Sequence, residues 1–410
     1  MDPIRFLNAG ESHGPGLTLI IEGFPAGLLV DVEAINDDLA RRQKSFGSGG
    51  RMRIEKDRVT VRSGVMAGRT TGAPIAMVVD NKDFKNWQDK NIAPITSPRP
   101  GHADLTGALK YDYDDFRLSL ERASARETTL RVAMGALCKQ LLEAVGVSIG
   151  GFVQQICAAK VEVNDDDTEL ESLAKLALQN DLSCPVADEK QLEMLRDEIK
   201  SVAKDKDTVG GIFEVFALGL PPGLGSHVHW DRRLDGKIAQ AMLSIQAMKG
   251  VEIGNAFEHA TSRGTRVHDA MALDGQDITR PTNRAGGLEG GMTNGEALRV
   301  RVAMKPIATT LTPLPSIDFS TGKESVTTYE RSDVCALPRA VVIGEAMLAF
   351  VLANALLEKV GGDTLGEIVE RSARLRGNTM DALNLHGRDW RFDGADVDDA
   401  NVEEEVGGKS

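Results

Sequence analysis

The residues best suited to chemistry in this 410-residue chain are two histidines in glycine- and proline-braced loops, His13 in AGESHGPGL and His102 in SPRPGHADL. Imidazole is the side chain that exchanges protons near neutrality, and small neighbours let a reactant approach it, so both positions suit acid–base work in a cleft. Asp104 is placed to orient or charge-stabilise the His102 ring. The plainer readings are a solvated turn at residue 13 and a proline-stiffened surface turn at 98–104. His227 and His229 in GSHVHW alternate as on a strand and lack a third ligand nearby, so no metal site is expected.

Cations gather around these loops. In ERASARETTLRV the S-x-x-E spacing of Ser124 and Glu127 predicts a capping box and a helix starting at Ser124, with free amides and a positive dipole end. Arg122 and Arg126 flank that end and add charge to an anion site; the alternative is that they pair with carboxylates. Further upstream, RRQKSFGSGGRMRIE sets Arg41, Arg42, Lys44, Arg51 and Arg53 around a Gly-Ser loop, which reads as a lid over a multiply charged anion or as a solvated basic loop. GGLEGGMTNGE and KPIATTLTPLPS offer glycines for backbone approach and Lys305, Thr309 and Thr310 as donors, and ERSD adds Arg331 and Asp333. No G-x-G-x-x-G follows a strand and no G-x-x-x-x-G-K-[ST] occurs, which leaves common dinucleotide folds and P-loop nucleotidases unsupported.

Positioning these groups takes a folded globular chain, and 41% hydrophobic with 27% charged residues is that composition. A net charge of −13 and only 4% aromatics argue against a nucleic-acid surface. The four cysteines show no paired spacing, and Met1 leads almost directly into a strand-like segment without an export signature, so a cytoplasmic protein is expected. Alternation predicts strands at residues 4–7, 17–21 and 212–218; helical spacing predicts helices at 32–42 and about 231–249. The apolar run at 340–357, broken by Glu345 and Asn354, reads as a core helix and not a membrane span. LERASARETTLRVAMGALCKQLLEAVG and YERSDVCALPRAVVIGEAMLAFVLANALLEKVGG both put Glu-Arg before a long apolar helix ending in glycine. This echo suggests two related halves, about 1–150 and 208–362, meeting at one pseudo-symmetric site; two unrelated amphipathic helices would look the same. Residues 161–206 read as a peripheral helical insertion, and 393–410 as a disordered acidic tail.

The motifs GESHGPGLTLIIEGFPAG (10–27), RPGHAD (99–104), ERASARETTLRVAMGA (121–136), SIQAMKGVEIG (244–254), GGLEGGMTNG (286–295), MKPIATT (304–310) and RSDVCALPRAVVIGEAM (331–347) occur together in this order. In them the chain resembles the chorismate synthase family. The resemblance implies an α+β fold, a single catalytic domain over 1–362 built as a β-α-β sandwich with helices between antiparallel sheets. It implies an anti 1,4-elimination of phosphate from 5-enolpyruvylshikimate 3-phosphate that needs reduced FMN without net redox change, NADPH as a possible reductant, and a homotetramer.

Carried over residue by residue, the resemblance makes His13 and His102 the catalytic histidines, one assisting phosphate departure and the other protonating the reduced flavin, with Asp333 helping to remove the C6 proton. Arg122, Ala123, Ser124, Gln246, Ala247, Gly290, Lys305, Pro306, Ile307, Ala308, Thr309 and Arg331 match flavin-binding positions, while Arg42 matches a basic lid position and Arg126 and Arg51 fall in the substrate or NADP group. FGSG stands where the family usually shows YGRG, so Ser48 replaces an arginine. A charge-assisted bond to a buried anion is worth about 1.5 to 3 kcal/mol. Ser48→Arg is therefore expected to lower the Michaelis constant; an unchanged or higher constant would remove Ser48 from the substrate. The rival classes are a flavin oxidoreductase and a non-catalytic anion-binding module.

Overall fold

The computed structural model describes residues 2–47, 56–161, 166–327, 333–383 and 385. Ser48, Arg51, Arg53, Glu330, Arg331 and the 393–410 tail lie outside the described residues.

The first sheet holds β1 (Arg5–Ala9), β2 (Gly16–Glu22), β3 (Val59–Ser63) and, after the short β4 (Val65–Met66) and β5 (Arg69–Thr70), β6 (Ile75–Asp80), in the antiparallel order β1-β2-β6-β3. Its strands alternate. Leu17, Leu19 and Ile21 of β2 and Ile75, Met77 and Val79 of β6 are buried while their neighbours are less so, the signature of a sheet with one face on the core. The second sheet combines β7 (Ser148–Ile156), β8 (Ala159–Lys160), β9 (Gly211–Leu218), β10 (Met248–Ile253) and, after the hairpins β11 (Ala272–Asp274)/β12 (Asp277–Thr279) and β13 (Leu288–Glu289)/β14 (Met292–Thr293), β15 (Leu298–Met304). The order is β10-β15-β9-β7-β8, again antiparallel. In β9 five consecutive residues are buried, because both faces of this sheet are covered. A last hairpin pairs β16 (Pro315–Asp318) with β17 (Lys323–Val326).

Between the sheets lie α1 (Val32–Gln43), α4 (Thr128–Glu143), α7 (Leu234–Leu243) and the 24-residue α9 (Leu337–Val360), the fourth and ninth of a series that includes α2 (Asp104–Tyr111), α3 (Phe116–Ala123), α5 (Leu170–Ala177), α6 (Glu189–Lys204), α8 (Ala256–His259) and α10 (Leu365–Ser372). Helix α4 packs on β1 and β2, α9 on β7 and β9, and the two helices on each other. Gly135 makes that close approach possible: a Cβ there would stand 2.3 Å from Ala346 Cα. Although α9 is long and apolar enough to cross a membrane, it is buried along most of its length. One apolar cluster runs from Ile4 to Ile368 through both sheets and these helices.

Two polar devices fix the helical layer. Glu345 of α9 is engaged by Arg41 of α1 (2.8 Å) and Lys139 of α4 (2.7 Å), and Asp38 of α1 closes the set on Arg41 (2.7 Å) and Lys139 (2.8 Å). Burial opposes ionisation of both carboxyls, but the two cations outweigh it and hold Asp38 and Glu345 below the usual carboxylate range. Asn354, the other break in the apolar run, accepts the Ile4 amide at 2.7 Å and anchors the approach to β1.

Three expectations are corrected. The helix after Ser124 begins at Thr128, because Ser124 accepts from Arg126 N and caps only a 3-10 turn, while the Glu127 carboxylate is occupied by Asn8, Arg131 and Gln246. The helix predicted to reach residue 249 stops at Leu243; Ala247 takes φ +69° and Met248 starts β10, so its apolar spacing served a strand. The 161–206 segment is not wholly peripheral. Leu170 and Ala177 of α5 cover Phe152 and Phe216 on the outer face of the second sheet, but Leu192, Leu195 and Ile199 of α6 join the main core.

Candidate active site

The β1–β2 loop carries His13 and is held from three sides. Gly10, at φ +120°, lets the chain turn where a Cβ would lie 2.6 Å from Gly16 O. Asn81 donates to Gly14 O at 2.7 Å, and Glu121 of α3 accepts both the His13 amide (2.8 Å) and Nδ1 (2.7 Å). Trp87 lies against the imidazole with ring centroids 4.0 Å apart, its indole N–H given to buried Asp83 at 3.0 Å. Burial would raise the Glu121 pKa, but hydrogen bonds from the His13 ring and amide lower it on balance.

His102 is built differently. It closes a turn through Gly101 (φ +74°), and its Nδ1 meets Asp104, the first residue of α2, at 2.5 Å. Asp104 also receives Nε (2.8 Å), Nη2 (3.0 Å) and the backbone amide (3.0 Å) of Arg99. Burial opposes its ionisation, yet the bonds from His102 and Arg99 hold its carboxyl well below the usual range. Lys305 Nζ donates to Gly101 O at 3.1 Å, which ties this turn to the segment after β15.

Both imidazoles line one cleft of about 580 Å³ between the helical layer and the loops, a size usual for small-molecule sites. Asp333 lines it too, paired with Arg339 of α9 at 2.7 Å. Arg42 donates to Thr128 Oγ1 (3.0 Å) and Ala125 O (2.8 Å), and Asp57 is shared between Arg42 (3.8 Å) and Arg126 (3.1 Å). Guanidiniums from α1, from the turn before α4 and from α9 therefore meet at one wall, an arrangement suited to a multiply charged anion. Among the described residues no cluster of three or more potential metal ligands occurs.

A chorismate synthase family model matches residues 4–357. The chain belongs to the chorismate synthase family. It is 50% identical over 384 residues to the chorismate synthase of Aquifex aeolicus (strain VF5), covering 90% of this chain and 96% of that one. It is also 50% identical over 397 residues to that of Sulfurihydrogenibium sp. (strain YO3AOP1), covering 93% and 100%. A crystal structure of chorismate synthase superposes with TM-score 0.75 at 44% identity over 90% of this chain and 96% of that one. The activity is the family's: 5-enolpyruvylshikimate 3-phosphate is converted to chorismate, a step of the shikimate route to aromatic amino acids, and the family uses reduced FMN.

The chorismate synthase cleft gathers most of the residues that the sequence nominated. His13, His102, Asp333, Ala123, Ser124, Gln246, Ala247, Lys305, Ile307, Ala308, Thr309, Arg42 and Arg126 line it. Three do not. Pro306 is exposed between two lining residues, Gly290 belongs to the β13–β14 turn, and Arg122 is exposed and bound to Asn8 O at 3.1 Å. The Arg122 side chain turns back to β1. Residues that the motifs did not single out are Glu121 and Trp87 beside His13, Asp57 between two arginines, and Arg339 on Asp333. Their only sequence signals were the Glu-Arg echo for Glu121 and the family motif for Arg339.

The residues present fit a flavin. Gln246 gives its amide N–H to Glu127 at 2.7 Å, which fixes the side chain, while its buried Oε1 has no partner. An acceptor left unpaired in a cleft calls for a donor from a ligand. Beside it Ala247 holds a left-handed backbone, a strained conformation of the kind kept at functional sites. Gln246, Ala247 and the 305–309 segment would hold the ring system, with Lys305 and Thr309 as donors.

Proposed function

We propose that this cleft performs the elimination with His13 and His102 as its proton-handling groups and Asp333 as the carboxylate that assists C6 deprotonation. The observation that carries this reading is the pair of imidazoles on one cleft, each with Nδ1 on a carboxylate, partly buried Glu121 for His13 and buried Asp104 for His102. With Nδ1 engaged, proton exchange falls to Nε2. Held by Gln246, Ala247 and the 305–309 segment, reduced FMN would supply the electron density that side chains lack. Arg42 and Arg126 bind the substrate's anionic groups, and Arg339 orients the Asp333 carboxylate. The apolar Ile245, Met248 and Ile343 exclude water from the same cavity.

The reading extends to the whole molecule. The chain acts as one catalytic unit over 1–362, its two halves related by the echo of α4 and α9. NADPH serves as reductant for the flavin, the setting is the cytoplasm, and the assembly is a homotetramer, supported by exposed apolar residues such as Leu7, Trp230 and Phe257.

An anaerobic assay with reduced FMN and 5-enolpyruvylshikimate 3-phosphate tests the reaction. Phosphate release without net consumption of reductant is expected; stoichiometric flavin oxidation would indicate an oxidoreductase, and no turnover a binding module. Alanine at His13 or His102 is expected to lower turnover on the order of 10²-fold while flavin still binds. Unchanged turnover in either variant would remove that histidine from the mechanism.

A further inference from the structure

The two imidazoles are held by carboxylates with different further partners. Asp104 is covered by three bonds from Arg99, whose Nη2 also lies 3.0 Å from His102 Nδ1, so a fixed cation stands beside that ring. Among the described residues the Glu121 carboxylate receives hydrogen bonds from His13 alone, one from the ring and one from the backbone amide. Its two oxygens therefore fix the His13 backbone and ring together, while Trp87, braced by Asp83, backs the face of the imidazole.

We propose that Glu121 is a positioning residue for His13: it fixes the backbone and the ring of His13 together and so sets how the imidazole faces the cleft, with Trp87 as the brace. The proposal rests on the catalytic reading of His13. Glu121 sits on α3, 108 residues away in sequence and on a different element, so loop and helix must dock before the ring is aimed.

Glu121→Gln keeps the size and one acceptor but loses the charge, and presents an amide N–H to one of the two His13 donors. It is compared with wild type, His13→Ala and the double variant, each checked for fold by circular dichroism and for flavin binding by titration. The expected result is a fall in kcat of about 10- to 100-fold with KM for the substrate nearly unchanged, and no further loss when Glu121→Gln is added to His13→Ala. A normal kcat in Glu121→Gln, with His13→Ala impaired, would overturn the role of Glu121 alone. Unimpaired His13→Ala would instead overturn the catalytic reading beneath it. Equal loss from Glu121→Gln in both backgrounds would make Glu121 merely structural.

Discussion

Replacing Asp104 by asparagine separates two tasks that its carboxylate performs, aiming His102 and neutralising Arg99. Asparagine can still accept one bond but turns an N–H toward one of its donors, so the ring loses its tautomer control. Turnover of Asp104→Asn should drop on the order of 10²-fold with flavin affinity largely kept, read by anaerobic phosphate release beside a flavin titration. A variant as active as wild type would detach Asp104 from the chemistry. That His13 and His102 face a cleft was legible in sequence, because the glycines and prolines around them leave an imidazole little structural purpose. Their partners were less so. Asp104 lies two residues from its histidine and could be named, whereas Glu121 and Trp87 reach His13 across 108 and 74 positions, a distance over which spacing carries no information. The lid position Ser48 stays a sequence expectation.

At the scale of elements, the α4–α9 contact is the most sensitive joint. Alanine favours a helix over glycine by about 1 kcal/mol, yet at Gly135 its Cβ would meet Ala346 backbone at 2.3 Å. Overpacking of this kind costs about 1–3 kcal/mol, so Gly135→Ala should lower the urea midpoint, and a rise would show that the helices can part without loss. Glu345→Gln leaves Arg41 and Lys139 sharing Asp38 alone. The expected loss is about 3–5 kcal/mol, measured by chemical unfolding. Element reading from sequence succeeded where one face decides the pattern, as in β2 and α1. It failed at Ser124, where tertiary bonds claimed Glu127, and after Leu243, where a buried strand residue imitated the next helical position. Local spacing cannot see either competitor.

Across the whole molecule, Asp38, Asp104, Glu121 and Glu345 all have carboxyls held below their ordinary range in the folded state. Each such group contributes stability that is present above its unfolded pKa, near 4, and lost as pH falls through the lower folded value. The urea midpoint should therefore hold between pH 7 and 5 and fall steeply below about pH 4; a flat profile to pH 3 would contradict these shifts. A chain of net charge −13 that gathers arginines in one cleft should also bind its phosphorylated substrate less well in salt, seen as a KM that rises with ionic strength. The placement of α9 has a consequence for biosynthesis. Both sheets and α4 are translated before residue 337, so the emerging polypeptide lacks the longest apolar helix to lay between them until residues 337–360 follow, and β1 must wait for Asn354 to receive Ile4. A transcript cut short upstream of this helix yields two half-covered layers with a greasy trough between them, which is a client for chaperones and not a smaller enzyme.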